Sequence, residues 1–336
     1  LVGHKEFYTN MPRMVKAAFS SEYHDAVWSE IRQRPTYRWM QRAGISFSSV
    51  DGPLESREEA FMSRLAEKIP GIGRVVGASN RAYVTYLNRL RADVFDKILY
   101  SWKDLDVDYR NTGRLRQLGK FINAATGRGD LGKYNDAAPL LSATFFSPRL
   151  QMSRLMLLNP VYYMRMDPLV RKEALKSLLG FGGFLATVYG IAKLSGASVS
   201  FDTSDPDGLK IKIGDTRLDV MGGFAQYIRL GTELAQYSNR TILEGKEPLH
   251  DKDFDSIFMH FLRGKLSPFP GTVADLGSGK KEITGEKISE EKAFGMKGWD
   301  AYIAKRFIPF VAQDMSDAYN EYGAKGLAVG IPSAVG

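Results

Sequence analysis

Apolar positions recur at helical spacing along most of the chain. From Ser79 to Trp102 the stripe is Tyr83, Leu87, Leu90, Val94 and Ile98, with Arg81, Arg89, Arg91 and Lys97 largely off it. A helix over 112–125 turns Leu115, Leu118 and Ile122 inward and sets Arg116 and Lys120, four apart, on another face. Upstream, 22–31 reads as a helix closed by Pro35. A second, over 53–65, has proline at its start and acids in its first turn, and stops at Ile69-Pro70. Gly71-Ile-Gly-Arg-Val-Val-Gly77 superficially resembles a dinucleotide loop. No strand precedes it and its third glycine comes one residue late, so it reads as a helix–helix linker. Further helices are expected over 138–147, 149–158 and 168–193, punctuated by Pro139, Pro148, Pro160 and Pro168. Others are expected over 222–238, 254–265, 295–309 and 311–322, with a polar exposed loop over 277–292.

The period changes once. Leu209-Lys-Ile-Lys-Ile213 and Thr216-Arg-Leu-Asp-Val220, joined by Gly214-Asp215, read as a hairpin with a two-residue turn. In that register Leu209 faces Val220, Ile211 faces Leu218 and Lys210 faces Asp219, with a third strand near Ser198–Phe201. The expected fold is therefore mainly α: a multi-helix assembly with one small antiparallel hairpin or three-stranded sheet near 198–220. Its expected divisions are an N-terminal helical region over 1–70, possibly extended, a helical core over 71–325 carrying the hairpin, and a tail over 326–336. The start at Leu1 and the small apolar finish suggest one ordered segment of a longer polypeptide, the tail leading into the rest of it.

Charge adds a second layer. The net charge is +8, but residues 1–200 carry 29 Lys and Arg against 18 Asp and Glu, and residues 201–336 carry 17 against 20. The basic excess lies in the first part, where a polyanion would be drawn, although a solvated basic face gives the same count. The chain has no cysteine, which excludes disulfides, thiolate metal sites and cysteine nucleophiles.

Catalytic patterns do not emerge. His4, His24, His250 and His260 have neither metal-ligand nor triad spacing. Two alternating runs, Asp104-Leu-Asp-Val-Asp108 and Asp251-Lys-Asp-Phe-Asp255, could share a face around Mg²⁺, but each adjoins a helix end, where short acids satisfy free amides. The loop 202–208 echoes a calcium loop but has Gly214 where the bidentate Glu belongs. Gly277-Ser-Gly-Lys280 fails as a phosphate loop, because Lys281 stands where Ser or Thr must bind magnesium. No enzyme activity, metal or cofactor is expected of this segment. The basic segment 110–133 supplies Arg114, Arg116, Lys120, Arg128 and Lys133 as candidate non-specific nucleic-acid contacts; segment 149–176 adds Arg149, Arg154, Arg165, Arg171, Lys172 and Lys176, with Tyr162 and Tyr163 among them. Residues 177–192 form a run of sixteen uncharged residues between Lys176 and Lys193, with Gly182, Ala186 and Gly190 at four-residue intervals. The run is slightly short for a bilayer and is expected to be a buried core helix packed by 149–158 and 222–238. Contact with a membrane is the open alternative.

Several stretches carry a resemblance. They are Phe121-Ile-Asn-Ala-Ala-Thr-Gly-Arg-Gly-Asp-Leu-Gly132, Ala138-Pro-Leu-Leu-Ser-Ala-Thr-Phe-Phe-Ser-Pro-Arg-Leu150, Leu158-Asn-Pro160 and Asp167-Pro-Leu-Val-Arg-Lys-Glu-Ala174. The hairpin leading to Gly222-Gly-Phe, Arg263-Gly-Lys-Leu-Ser-Pro268 and Pro309-Phe-Val-Ala-Gln-Asp314 complete the set. From about residue 15 onward the chain resembles segments of the very large polyvalent proteins of tailed bacteriophages and prophages, including internal virion proteins injected with the genome. The resemblance carries over no catalytic residue. It implies a structural segment of an internal virion, or ejection, protein, held in the capsid or portal and tail region and delivered to the host envelope to help DNA cross. Its implied partners are other virion or ejection proteins in an oligomer. The alternative it implies is a non-catalytic module that positions nucleic acid beside an enzyme domain of a polyvalent protein.

Overall fold

The computed structural model describes residues 4–50, 72–138 apart from 106, 107 and 109, 141, 145–243 apart from 204, 206 and 215, 253–265, and 287–298 apart from 291, 294 and 295. The expected helices over 53–65 and 311–322 and the tail over 326–336 lie outside these residues. Contacts divide the chain into two compact units, 1–142 with 147–183, and 143–146 with 184–336. The described residues are mostly helical, with small antiparallel sheets, as the periodicity predicts.

The first unit contains α1 (His4–Phe19), α2 (Ser21–Gln33), α3 (Tyr37–Ala43), α4 (Ile72–Asp104), α5 (Thr112–Ala125), α6 (Pro148–Leu158) and α7 (Pro160–Met164). Several begin at side-chain caps: Tyr23 N–H donates to Ser20 Oγ at 3.1 Å and Arg114 N–H to Asn111 Oδ1 at 3.1 Å. The expected 71–77 linker is instead the first turns of α4, whose Gly77 has only the tip of Arg81 within reach of an added Cβ. Glycine weakens a helix without forbidding it, and α1 and α2 pack along α4. Elements from the expected 1–70 region and from the expected core thus share one unit.

On α4 the predicted stripe is buried at Leu87, Leu90, Val94 and Ile98, yet burial runs nearly all round the helix. Arg91, expected off the stripe, has no exposed surface. Its guanidinium donates to Ser46 O at 2.8 Å, Ser48 Oγ at 3.3 Å and Thr126 Oγ1 at 2.9 Å. The extended segment 45–49 explains this. Among the described residues it has no strand neighbour, and helix side chains meet its backbone groups. Asn88 accepts from Ser48 N–H and donates to Ser48 O, both at 2.8 Å; Asn123 accepts from Ser46 N–H at 2.9 Å and donates to Gly44 O at 2.8 Å.

The second unit holds β1 (Ser198–Val199), β2 (Ile211–Ile213), β3 (Thr216–Leu218), α9 (Ala225–Ser238), a π turn over Asn239–Leu243 and α10 (Phe254–Arg263). The hairpin register is the expected one, with Ile211 opposite Leu218, and β1 joins as the third strand. The ladder is shorter than expected. Leu209 sits at φ +65° and breaks it, leaving Lys210 near Asp207 at 3.9 Å rather than opposite Asp219, whose carboxylate accepts from Met221 and Gly223 N–H. Two further expectations fail. Met296–Lys297 (β5) pairs with Lys292–Ala293 (β4) where a helix was expected from 295, and Ile288, in the expected exposed loop, is fully buried. The helix expected over 138–147 does not reach its end: Ser147 sits at φ +44°, and Phe146 N–H donates to Lys265 O at 2.8 Å.

Lys265 is buried, its ammonium 5.1 Å from the Tyr227 ring centre and 4.9 Å from that of Phe261. Burial pulls its pKa down to about 8. A free lysine titrates near ~10.4, so between these values the unfolded chain binds more protons than the folded one. Stability of this unit should therefore rise by about 2 kcal/mol from pH 8 to pH 10.5. The Lys265→Met protein should lack that rise in denaturant unfolding, and an unchanged pH profile would refute the assignment.

Helix α8 (Pro168–Leu194) belongs to both units, 168–183 to the first and 184–194 to the second. Its start is fixed: Arg114 donates to Asp167 at 3.1 Å, and Val170 and Ala174 are buried. Later, Tyr189 is buried and its hydroxyl donates to Leu209 O at 2.6 Å. Most of the rest is open, contrary to the expected core helix. Leu179 is 76% and Ile191 59% exposed, and an added Cβ at Gly182, Gly183 or Gly190 would meet nothing within 4 Å. The expected neighbours pack elsewhere. In the first unit α6 packs on α5, and in the second α9 packs on α10.

Candidate functional site

Within the first unit, α3, α5, the 126–131 turn and the start of α6 enclose a cleft of about 490 Å³. Two glycines permit this approach. A Cβ on Gly119 would lie 1.9 Å from Ala43 O, and one on Gly129 would lie 2.4 Å from Ser153 N, so α5 meets α3, and the turn meets α6, backbone to backbone. Gly44, at φ +73°, closes α3 in the left-handed conformation and starts the extended segment at the cleft wall.

Five cations line the cleft: Arg42, Arg116, Lys120, Arg128 and Arg149. Arg42, from the last turn of α3, stacks over Trp39 at 4.9 Å. Arg116 is exposed and makes no ion pair among the described residues. Arg128 is buried, donating to Ser48 Oγ at 2.9 Å, and its N–H donates to Asn123 O at 2.7 Å. Arg149 donates to Asn135 Oδ1 at 2.9 Å. Asp130 is the acid of the lining. It accepts from Asn135 Nδ2 and Gly132 N–H, both at 2.9 Å, and from Lys120 Nζ at 2.9 Å. The Asn135 and Lys120 hydrogen bonds, led by Asn135, hold its pKa down to about 2. Its folded pKa lies below the free value of ~3.9, so its stabilisation is whole above pH 4 and is lost as the pH falls through about 2.

Of the five predicted nucleic-acid residues, the cleft gathers Arg116, Lys120 and Arg128. Arg128 forms part of its buried floor rather than an outer patch. Arg114 lies off the cleft, holding Asp167 and donating to Asp108 O at 2.7 Å. Lys133 is exposed, 5.1 Å from the Tyr134 ring centre, and does not line the cleft. Sequence reading left Arg42 out and placed Arg149 in a separate segment. The sequence carries no signal for either, since the close contact of Gly129 with α6 that brings Arg149 to the turn is tertiary.

Several of the other candidate acids bond within their own segments. Asp253 caps α10, accepting from Ser256 N–H at 2.8 Å, and Asp108 accepts from Arg110 N–H at 3.0 Å. Asp106 and Asp251 lie outside the described residues. Asp205 Oδ1 accepts from Asp207 N–H at 2.8 Å within their own loop, and Asp207 pairs with Arg217 at 2.6 Å. The cleft itself offers fixed cations and amides and, among its lining residues, no nucleophile with an adjacent base. Comparison of the chain with protein-family models, curated proteins and solved structures finds no match.

Proposed function

We propose that this chain is a structural, non-catalytic segment of an internal virion, or ejection, protein of a tailed bacteriophage. It is carried in the virion with other ejection proteins and delivered to the host envelope, where α8 enters the bilayer and helps the genome cross. The exposure of α8 carries this reading. In its most apolar eighteen-residue stretch, 11% is buried within the protein. Leaving that surface in water is unfavourable, at ~25 cal/mol per Å² of apolar area. Its uncharged run rises ~24 Å against a ~30 Å hydrocarbon core, and the stems of Lys176 and Lys193 can extend it by reaching toward the headgroups. The resemblance to injected phage proteins supplies the setting.

The test is flotation with neutral liposomes. The wild-type chain should rise with the lipid, and Leu179→Asp with Ile191→Asp should abolish that. Both positions are exposed, so the charges should change stability in water by less than about 0.5 kcal/mol. A wild-type chain that stays at the bottom, or a charged variant that floats equally well, rejects the membrane role.

A further inference from the structure

We infer that the basic cleft of the first unit is a seat for the phosphates of a single nucleic-acid strand, taken without regard to base. This goes beyond the membrane reading and does not depend on it. Five cations face one acid in a concave site whose lining also includes the amide of Gln41. Such donors match phosphate oxygens, and guanidinium forks grip two at a time. No aromatic ring lines the cleft, so a base finds no stacking platform there. A duplex is too wide for this volume, whereas one strand can lay consecutive phosphates against Arg42 and Arg116 on the two facing helices. A lipid surface would need cations beside an apolar flank, and here the floor is the recessed Arg128 among polar groups.

Asp130 completes the device. Its carboxylate is the counter-ion of Lys120, at 2.9 Å. A bound phosphate replaces it on the ammonium, so Asp130 sets how tightly the strand is held. Its other oxygen remains on Asn135 and Gly132, which keeps the turn in place during the exchange.

The experiment titrates the full chain with labelled oligothymidylate and oligoadenylate over a range of salt. Both should bind alike. Arg42→Ala with Arg116→Ala should flatten the slope of log affinity against log salt by about 1.4, at ~0.7 per phosphate lost from a single strand. Asp130→Asn keeps the acceptor for Asn135 and Gly132, and it should tighten binding with little change in slope, because Lys120 meets a phosphate in both proteins and no longer has to leave a carboxylate. Arg116 is exposed, so Arg116→Glu tests the cleft even if another variant folds poorly. Leu179→Asp should leave strand binding intact, which separates failure here from failure of the membrane reading. An unchanged slope in the double variant together with unchanged affinity in Asp130→Asn overturns the inference. So does inorganic triphosphate competing as tightly as the strand, which makes the ligand a free polyphosphate. Loss of phosphatidylglycerol vesicle binding in the double variant, with strand binding kept, assigns the cleft to lipid and overturns it equally.

Discussion

Replacing Arg91 with methionine is expected to destabilise the first unit by about 3 kcal/mol or more. The side chain has no exposed surface, and its guanidinium ties three chain segments together: α4, which carries it, the extended segment at Ser46 and Ser48, and Thr126 at the end of α5. Methionine fills much of the volume but donates nothing. Ser46 O would then be left without this donor, at ~1–3 kcal/mol for a buried acceptor, and Thr126 Oγ1 would lose one as well. Lysine retains the charge, but a single ammonium cannot reproduce a fork that spans Ser46 and Thr126, so Arg91→Lys should recover less than half of the loss. Arg116→Met, at an exposed position, should change stability by less than about 0.5 kcal/mol. Urea unfolding of the three variants decides the matter, and an Arg91→Met protein within 1 kcal/mol of wild type would show that the buried guanidinium is not a keystone.

Arg91 also marks where sequence reading stops. Periodicity identifies a helix and its most apolar side, and it does so correctly for Leu87, Leu90, Val94 and Ile98 and for Leu115, Leu118 and Ile122 on α5. It cannot count how many neighbours a helix will have. An arginine off the stripe reads as solvated, but α4 is enclosed on several sides and 45–49 needs donors for its carbonyls. The same limit, with the opposite sign, applies to α8. Its composition is that of a core helix, yet burial requires a second surface, and α6 and α9 pack elsewhere. The hairpin was legible because alternation and turn length together select one register, while the left-handed Leu209 that shortens it has no signature in its residue type. The cleft was half legible. Arg116 and Lys120 share a face of one helix, which spacing reveals. Arg42 and Arg149 join them only through tertiary contacts at Gly119 and Gly129, and those contacts are invisible without coordinates.

Those glycines lead to the second large effect, an opposition of sign between helical Gly→Ala changes. Alanine is the better helix former by ~0.8–1 kcal/mol, so propensity alone predicts a gain at every helical glycine. At Gly182 and Gly190 nothing lies within 4 Å of the new methyl, and each Gly→Ala change should raise stability in water by about 0.5–1 kcal/mol. At Gly119 the methyl would sit 1.9 Å from Ala43 O and 2.7 Å from Ala43 C. Both are backbone atoms, so no rotamer change relieves the overlap, and α3 must move away from α5. That movement pulls Ser46 and Gly44 from the Asn123 amide, whose bonds to them are 2.9 and 2.8 Å, and carries Arg42 away from Arg116 across the cleft. Gly119→Ala should therefore cost about 3 kcal/mol net, at the upper end of overpacking penalties. It should also weaken strand binding although it removes no cation. Paired unfolding and binding curves test the two consequences together. A Gly119→Ala protein as stable as Gly182→Ala would mean that α3 and α5 do not meet closely in solution, and the cleft they wall would lose its geometry.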